Sequence, residues 1–567
     1  MSFLNTSVKS VYTYLLIIAV IGINVASIKW HTRIDLTAEK RFTLSNATKQ
    51  LLKKIDQPIV IDVLLKGSYP SGFKKLASST EDILLEYKEI AGNQLQFRFV
   101  APDELLTTGN SSYADTIASM GLYPINLTSQ LKEGQQQQNV YPFAILHYQD
   151  KLFPIELYKG TTPLINFQEL NSAEAMLEYN LSNAIALAIQ KSKPLVGFAI
   201  GNGEPMDIRV FDLAENSLKR TYDLQLINLV SQSYIPNEFK SIIIVKPTLS
   251  FTDAEKLKID QYIMNGGKVL FFIDKLNAEM DSLQMKNEVI AYDRDLNVND
   301  LLFKYGVRIN SSLVMDLQCD YLPFDVNGNG QYDFLPWNYF PVLESSNNHP
   351  INKNLGYVVA RFANAIDTVG EPDIKKTILL HSSLNGRVMA TPALISGKEN
   401  VTAPEDEKYK TANIPVAVLL EGKFRSLFAN RLTNDLADSL QKAAQVLVTN
   451  CIEENKILVV SDGDIVMNAV VKGNQPLPMG ENPYTYGTQR AFPFANKAFL
   501  MNALDYMINE NGLSEAKGKD FVVRLLDNKR INDSKLYWQL LNIGLPILIV
   551  LFFAFIFLLI RKKKYTM

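Results

Sequence analysis

Hydrophobic and polar residues follow three rhythms along this chain. Over residues 540–560 polarity disappears: LLNIGLPILIVLFFAFIFLLI carries no charge. A run of about 20 apolar residues is long enough to cross a hydrocarbon core of roughly 30 Å. Pro546 inside it is tolerated in a membrane span, where neighbouring groups re-satisfy the freed carbonyl. Residues 11–28, VYTYLLIIAVIGINVASI, form a second apolar run at the short end of the spanning range. A cleaved signal peptide is the alternative, with Val25, Ala26 and Ser27 as a weak cleavage motif. The run is longer than such peptides usually carry and only Lys9 precedes it, which favours an uncleaved anchor.

Between the two runs the periodicity is that of an α/β protein. IDQPIVIDVLLKG (55–67) holds a strand, preceded by a helix that Thr43 or Ser45 would cap. STEDILLEYKEIAG reads as an amphipathic helix stopped by Gly92, and QLQFRFV as the next strand. YPFAILHYQDKLFPIELY (141–158) predicts two strands joined at Gln149 and Asp150. The preceding LKEGQQQQNV, with four consecutive Gln, is expected to be a solvated loop.

A second unit begins with a helix around 172–190. Strand PLVGFAI, loop GNGEP, a helix, and strands DLQLINL and SIIIVKP follow. In TDAEKLKIDQYIMNGG, Thr252 and Glu255 have capping-box spacing and Gly266-Gly267 supplies the stop. KVLFFID is then a continuous apolar run, suited to a strand buried on both faces. This alternation predicts a doubly wound parallel sheet. Beyond Ala291 the rhythm weakens. A strand ends over 313–316, and 325–350 reads as loop-rich and aromatic. Strand KILVVSDGD, helix NKAFLMNALDYMI and the segment FVVRLLDNKRINDSKLYWQ lead to the second apolar run.

A length of 567 residues suggests about two to four domains. A net charge of -2, with no basic run outside the C-terminus, argues against a nucleic-acid partner. The basic run RKKKY (561–565) directly follows the apolar segment and marks the C-terminus as cytoplasmic. Lys29, Arg33, Lys40 and Arg41 pull the other way after the first run, but long domains translocate largely regardless of charge. Two spans then place both termini in the cytoplasm and residues 29–539 outside it, in the periplasm of a diderm bacterium. A cleaved first segment leaves the body facing the same way. Cys319 and Cys451 are too few for a disulfide framework or a zinc site. A single bridge and two buried thiols both remain open.

Chemistry-bearing motifs are sparse. Gly266-Gly267-Lys268 lacks the leading Gly and the Ser/Thr of a phosphate-binding P-loop, so any ATP is bound by a partner. The four residues Gly201, Asn202, Gly203 and Glu204 follow a strand at the sheet edge where such folds bind ligands. Two glycines would let backbone N–H groups approach a ligand, and Glu204 could hydrogen-bond a hydroxyl. Ordinary punctuation between strand and helix is the plainer reading. Asp462 and Asp464 in SDGD could hold Mg²⁺, or simply cap and turn the chain. His31, His147, His349 and His381 sit in no nucleophile–base pattern, and there is no G-x-S-x-G. No catalytic residue, resident metal or cofactor is therefore assigned. DVNGNGQYD opens like a calcium loop: Asp325, Asn327 and Asn329 take alternate ligand positions, Gly330 the turn, Gln331 the carbonyl position and Asp333 the ninth. Position twelve, where a bidentate Glu normally closes the shell, is Pro336. A polar hairpin turn is the competing reading.

Several stretches together resemble a known family. RIDLTAEKRFTLSNAT after the first apolar run, the loop GNGEP, and TDAEKLKIDQYIMNGGKVLFFID are similar to auxiliary proteins of an uncharacterised class of ABC transport systems. FLPWNYFPVLESSNNHPINKNL, SDGDIVMNAVVKGNQPLPMGENPYTYG, FANKAFLMNALDYMINENGL and VVRLLDNKRI resemble its GldG-type gliding-motility branch. The resemblance implies a separate ATPase and a separate membrane permease as partners. It also implies a glutamine-amidotransferase-like α/β domain, with a glycan as a suggested ligand. No Cys stands in the 201–204 loop, where an amidotransferase would need its nucleophile. Relatives often carry His where this chain has Asn202, which removes an ionisable group. DVNGNGQYD reads as a variable insertion.

The expected architecture is α/β: a doubly wound, amidotransferase-like sheet plus a smaller N-terminal α/β unit, flanked by two transmembrane helices. Residues 1–10 form a cytoplasmic N-terminus, 11–28 a span and 29–170 the N-terminal domain. The auxiliary region is 171–515, the juxtamembrane segment 516–539, the second span 540–560 and the basic tail 561–567. The expected function is a non-catalytic, bilayer-anchored envelope subunit of a gliding-motility ABC transporter that binds a ligand or partner. An envelope enzyme acting on glycans, or a structural tether, are the alternatives.

Overall fold

The computed structural model describes residues 43–513 and 535–565 apart from short gaps, together with Ile18, Val20 and Gly22. The gaps are 68, 107–110, 121, 123, 132–133, 159–166, 287, 327–328, 346–347, 397–405, 472, 489 and 510–511. Ile18, Val20 and Gly22 are helical, and the rest of the expected first span lies outside the described residues. The chain forms two compact units, residues 1–519 and 520–567.

The first sheet belongs to the N-terminal α/β region. Ile59–Val63 lies parallel to Leu95–Phe99 and antiparallel to Phe143–Tyr148, which pairs in turn with Lys151–Glu156. Gln149, at φ 53°, makes the expected turn between the last two strands. Helices Ser71–Ala91 and Phe167–Ile189 bury Phe73, Leu76, Leu177 and Leu181 against Ile59, Ile61 and Val63. Ser45 is the cap of the preceding helix, accepting from the Thr48 N–H at 3.2 Å. The glutamine run differs from expectation. Gly134–Val140 is a strand, paired antiparallel with Ile125–Leu131. Composition alone reads the run as solvated, but a hairpin partner supplies backbone hydrogen bonds that no periodicity announces.

The central sheet has seven strands: β1 (Leu195–Ile200), β2 (Asp223–Asn228), β3 (Ser241–Val245), β4 (Lys268–Phe272), β5 (Ile374–His381), β6 (Pro415–Gly422) and β7 (Asn455–Val460). Their order is β5-β6-β7-β4-β3-β1-β2. β2, β1, β3, β4 and β7 run parallel. At one end β6 is added antiparallel to β7, and the edge strand β5 antiparallel to β6.

Alternate strand residues feed two cores, as a sheet covered on both faces requires. Ile242, Ile244, Val269, Phe271, Ile457 and Val459 pack with Leu257, Ile259 and Ile263 of helix α1 (Asp253–Met264). Ile243, Val245, Leu270, Phe272, Leu458 and Val460 pack with Phe499, Leu500 and Leu504 of helix α2 (Asn496–Ile508). Thr252 and Glu255 form the expected capping box of α1.

Between β4 and β6 the chain builds smaller sheets. Val307–Asp316 pairs with Asn364–Thr368 and Gly386–Ala390. The stretch expected to be loop-rich contains instead an 11-residue strand, Asp333–Leu343, antiparallel to Cys319–Phe324. Pro336 and Pro341 disguised it in the sequence, because prolines argue against a central strand. Trp337, Tyr339 and Phe340 are nonetheless buried, and Trp337 lies 5.5 Å from Phe324 and 5.2 Å from Tyr339 between ring centres. The calcium-like segment joins these two strands. Both Asp325 oxygens are engaged locally, accepting the N–H groups of Asn329 (3.1 Å) and Gly330 (3.0 Å). Cys319 and Cys451 are buried free thiols.

The second unit contains helix Lys535–Tyr565. Among the described residues it holds the one segment long and apolar enough to cross a membrane, Tyr537–Lys563, with mean hydropathy 3.1 and no part buried.

Candidate functional site

The carboxyl ends of the five parallel strands share one edge, where doubly wound folds bind ligands. β1 runs into Gly201, β3 into Lys246, β4 into Asp274 and β7 into Ser461. Strand order reverses at β1, whose neighbours are β2 on one side and β3 on the other.

At that reversal the loop folds on itself. Gly201 and Gly203 adopt φ 121° and 80°, conformations that favour glycine. A Cβ on Gly203 would lie 2.0 Å from Thr248 Oγ1. The Asn202 carbonyl accepts from the N–H groups of Thr248 (2.9 Å) and Leu249 (2.8 Å). Its N–H donates to Glu204 Oε2 at 2.8 Å, and its side-chain amide donates to Glu255 Oε2 at 3.0 Å. The loop amide expected to greet a ligand is thus turned onto the chain's own carboxylate. Asn202 and Glu204 are 2% and 7% exposed. Two of their acceptors, Asn202 Oδ1 and Glu204 Oε1, are buried without a hydrogen-bond partner. Burial raises the Glu204 carboxyl to about 7; the loop's backbone N–H groups oppose this, and the nearby Glu255 adds to it.

The second constellation gathers around Lys246, itself at φ 46°. Its ammonium lies 2.8 Å from Asp464 Oδ2, 3.0 Å from Glu279 Oε2 and 3.1 Å from Asp274 Oδ2. Arg294 reaches Glu279 at 3.1 Å. Asp462 Oδ1 accepts the Asp464 N–H (2.8 Å) and Oδ2 the Arg361 N–H (2.6 Å). Asp274 Oδ1 accepts the Gly463 N–H at 2.6 Å.

The electrostatics follow from crowding. Burial, then Asp464 and Asp274, push Asp462 well above the carboxylate range. Burial raises Asp274 to about 6 against the pull of Lys246. Burial also works to raise Asp464, but Lys246 and Arg361 hold it below its ordinary value. Desolvation opposes the charge on Lys246, and Asp274, Asp464 and Glu279 outweigh it.

Carboxylate oxygens of Asp274, Asp462 and Asp464 lie within 4.8 Å of one another, close enough for a shared cation. The Lys246 ammonium already neutralises two of the three, and backbone N–H groups take further oxygens. The donor set therefore fits an internal ion-pair network better than a metal centre.

The structure brings Asp462 and Asp464 together with residues not singled out in the sequence: Lys246, Asp274, Glu279 and Arg361. Gly201, Asn202, Gly203 and Glu204 form a separate cluster with Glu255. One segment, Lys246 to Leu249, touches both, since Thr248 contacts Gly203 and Lys246 contacts Asp464. The missed residues had a signal. Lys246 and Asp274 each stand just past an apolar β-run, at the edge where ligands bind.

Comparison with known proteins places these elements. A domain of unknown function (DUF7088) matches residues 38–147. An uncharacterized protein of Borreliella burgdorferi (strain ATCC 35210 / DSM 4680 / CIP 102532 / B31) is 20% identical over 413 residues, covering 71% of this chain and 75% of that protein. The mmIFT52 N-terminal domain shares 14% identity over 55% of this chain and 96% of its own length, with a TM-score of 0.30. The exo-beta-1,4-mannosidase Op5Man5 from Opitutaceae bacterium strain TAV5 shares 9% over 71% of this chain and 47% of that one, with a TM-score of 0.20. At those scores neither structure bears on function. The model of the ABC-type uncharacterized transport system matches residues 193–503, more than half of the chain and all seven strands of the central sheet. This chain belongs to the ABC-type uncharacterized transport system family.

Proposed function

We propose that this protein is a non-catalytic, membrane-anchored subunit of an ABC transporter complex associated with gliding motility, working with a separate permease and ATPase. The family match over residues 193–503 carries the reading. The absence of a P-loop motif from the sequence supports it, since the energy source then lies in another chain. The apolar helix Tyr537–Lys563 is the proposed dock on the permease, and the body is read as periplasmic, with both termini cytoplasmic and a first span at 11–28. Ligand or partner binding is assigned to the carboxyl edge of the central sheet, with Gly201, Asn202, Gly203 and Glu204 as its centre and Asp462 and Asp464 beside it. The parallel core supports an amidotransferase-like reading of the fold, without its nucleophile. ATP hydrolysis on the partner would change the permease, and this subunit would transmit that change outside.

A glycan-cleaving enzyme is less well supported. Asp464 is held by Lys246, so it is not poised as a free acid or base. The deciding experiment is affinity purification of the full chain from gently solubilised membranes, with identification of its partners. A co-purifying permease and P-loop ATPase are expected; recovery of the chain without either overturns the reading.

A further inference from the structure

The loop at the β1 reversal holds two acceptors that no hydrogen bond reaches. Asn202 Oδ1 and Glu204 Oε1 are both buried and unpartnered. A buried acceptor left unpaired is costly, and two in one short loop ask for a common donor. The loop's own amide donors are committed, that of Asn202 to Glu204 and its side chain to Glu255. Glu255 is saturated on one oxygen, accepting the Thr252 N–H at 2.8 Å as well.

The surroundings select the sign of the ligand. An anion would meet Glu204 where the loop amide points, and Glu255 behind it. A neutral hydroxyl would supply one donor to two acceptors, Asn202 Oδ1 and Glu204 Oε1. A cation satisfies both the hydrogen-bond count and the charge. The side chains beside the two glycines are aliphatic and exposed: Val230 is 55% and Leu249 59% exposed. Val230 and Leu249 stand directly over the glycines, 2.9 Å and 3.2 Å from Cβ atoms placed on Gly201 and Gly203.

We propose that this loop receives a primary ammonium group carried on an aliphatic stem, donating to Asn202 Oδ1 and Glu204 Oε1 with the stem against Val230 and Leu249. The inference rests on the assignment of this edge as the ligand site. Without ligand, a proton on Glu204 serves as the donor. Binding exchanges it: the neutral carboxylic acid loses H⁺ to solvent and the resulting carboxylate pairs with the incoming R–NH₃⁺. The charged groups that bear on Glu204 are Glu255 on α1 and, through it, Lys258, whose ammonium is engaged with the Leu229 carbonyl at 2.7 Å. Thr248 and Leu249, from the segment after β3, bring no charge.

The test uses the full chain in lipid nanodiscs and four probes: n-butylammonium, n-butanol, butyrate and inorganic phosphate, followed by saturation-transfer NMR. Butylammonium should bind and the other three should not. Its affinity should rise about tenfold from pH 6 to pH 8, because the ionised fraction of a carboxyl at about 7 rises about tenfold. Glu204→Gln should lose binding and its pH dependence. Equal binding of butanol, binding of phosphate in place of butylammonium, or unchanged binding to Glu204→Gln overturns the proposal. Co-purification with permease and ATPase is read on the same variants. If partners are retained while butylammonium fails, the ligand class falls and the transporter role stands.

Discussion

A Cβ placed on Gly463 would lie 2.6 Å from the Cβ of Lys246 and 3.1 Å from its Cα. The ends of β7 and β3 therefore meet almost backbone to backbone, although β4 lies between the two strands in the sheet.

Gly463→Ala should destabilise the body through that contact alone. The φ of Gly463 is -79°, which any residue adopts, so the cost is steric and not conformational. Overpacking of this kind costs about 1–3 kcal/mol. Thermal unfolding of the solubilised chain should show a lowered midpoint, and an unchanged midpoint would refute the close approach.

Lys246→Met leaves the surrounding carboxylates without their cation. Breaking a buried pair from one side costs about 3–5 kcal/mol. The raised value of Lys246 keeps it charged on both sides of folding at neutral pH, so it contributes no slope there. Asp274 does: Lys246 pulls its carboxyl down to about 6, so in the variant it keeps its proton to a higher pH and the folded state goes on losing stability above 6, where the parent no longer does. The loss should accordingly be larger at pH 8 than at pH 5. Asp464→Asn added to Lys246→Met should recover part of it.

Glu204→Gln should change the pH dependence of stability with a definite sign. Its carboxyl rises from 4.5 to about 7 in the folded chain. Between those values the native state holds a proton that the unfolded chain has released, so wild-type stability falls as pH rises from 4.5 to 7. The shift corresponds to about 3 kcal/mol. The variant should lack this fall, so its stability relative to the parent should rise by that amount between pH 4.5 and 7 and stay level above it; parallel stability curves would count against it.

Val550→Arg tests the C-terminal anchor. Val550 lies within the apolar helix Tyr537–Lys563 and is 67% exposed. Arg near the centre of a span costs about 2.5–3.5 kcal/mol of insertion. Alkaline extraction of membranes should release more of the variant than of the parent.

Much of the fold was legible because local chemistry agreed with the final structure. Thr252 and Glu255 announce α1 by their capping box. KVLFFID reads as buried on both faces, and β4 feeds both cores. The failures share a cause. The strand through Trp337 was hidden by Pro336 and Pro341, and the strand through Gln135–Gln138 by its polarity; both are decided by pairing partners. The site divided in the same way. Asp462, Asp464 and the GNGEP loop could be picked out where they stand, at strand ends. Lys246 was marked only by its place just past an apolar β-run, and the β3–β4–β7 adjacency reveals that it sits among their carboxylates. Glu255 was visible as a capping residue, and its second role toward Asn202 comes from the neighbouring strand end.

The place of β7 in the sheet also governs how the protein is made. β4 ends at Phe272 and its parallel neighbour β7 begins at Asn455, so about 180 residues emerge before the pair can form. At roughly 5–20 residues per second the free side of β4 waits on the order of ten seconds or more during synthesis. That side is an unpaired edge bearing Phe271 and Phe272, the kind of surface that invites aggregation. A nascent chain stopped near residue 450 should be protease-sensitive and bind chaperones, and one extended past Ile508, which adds both β7 and the covering helix α2, should not.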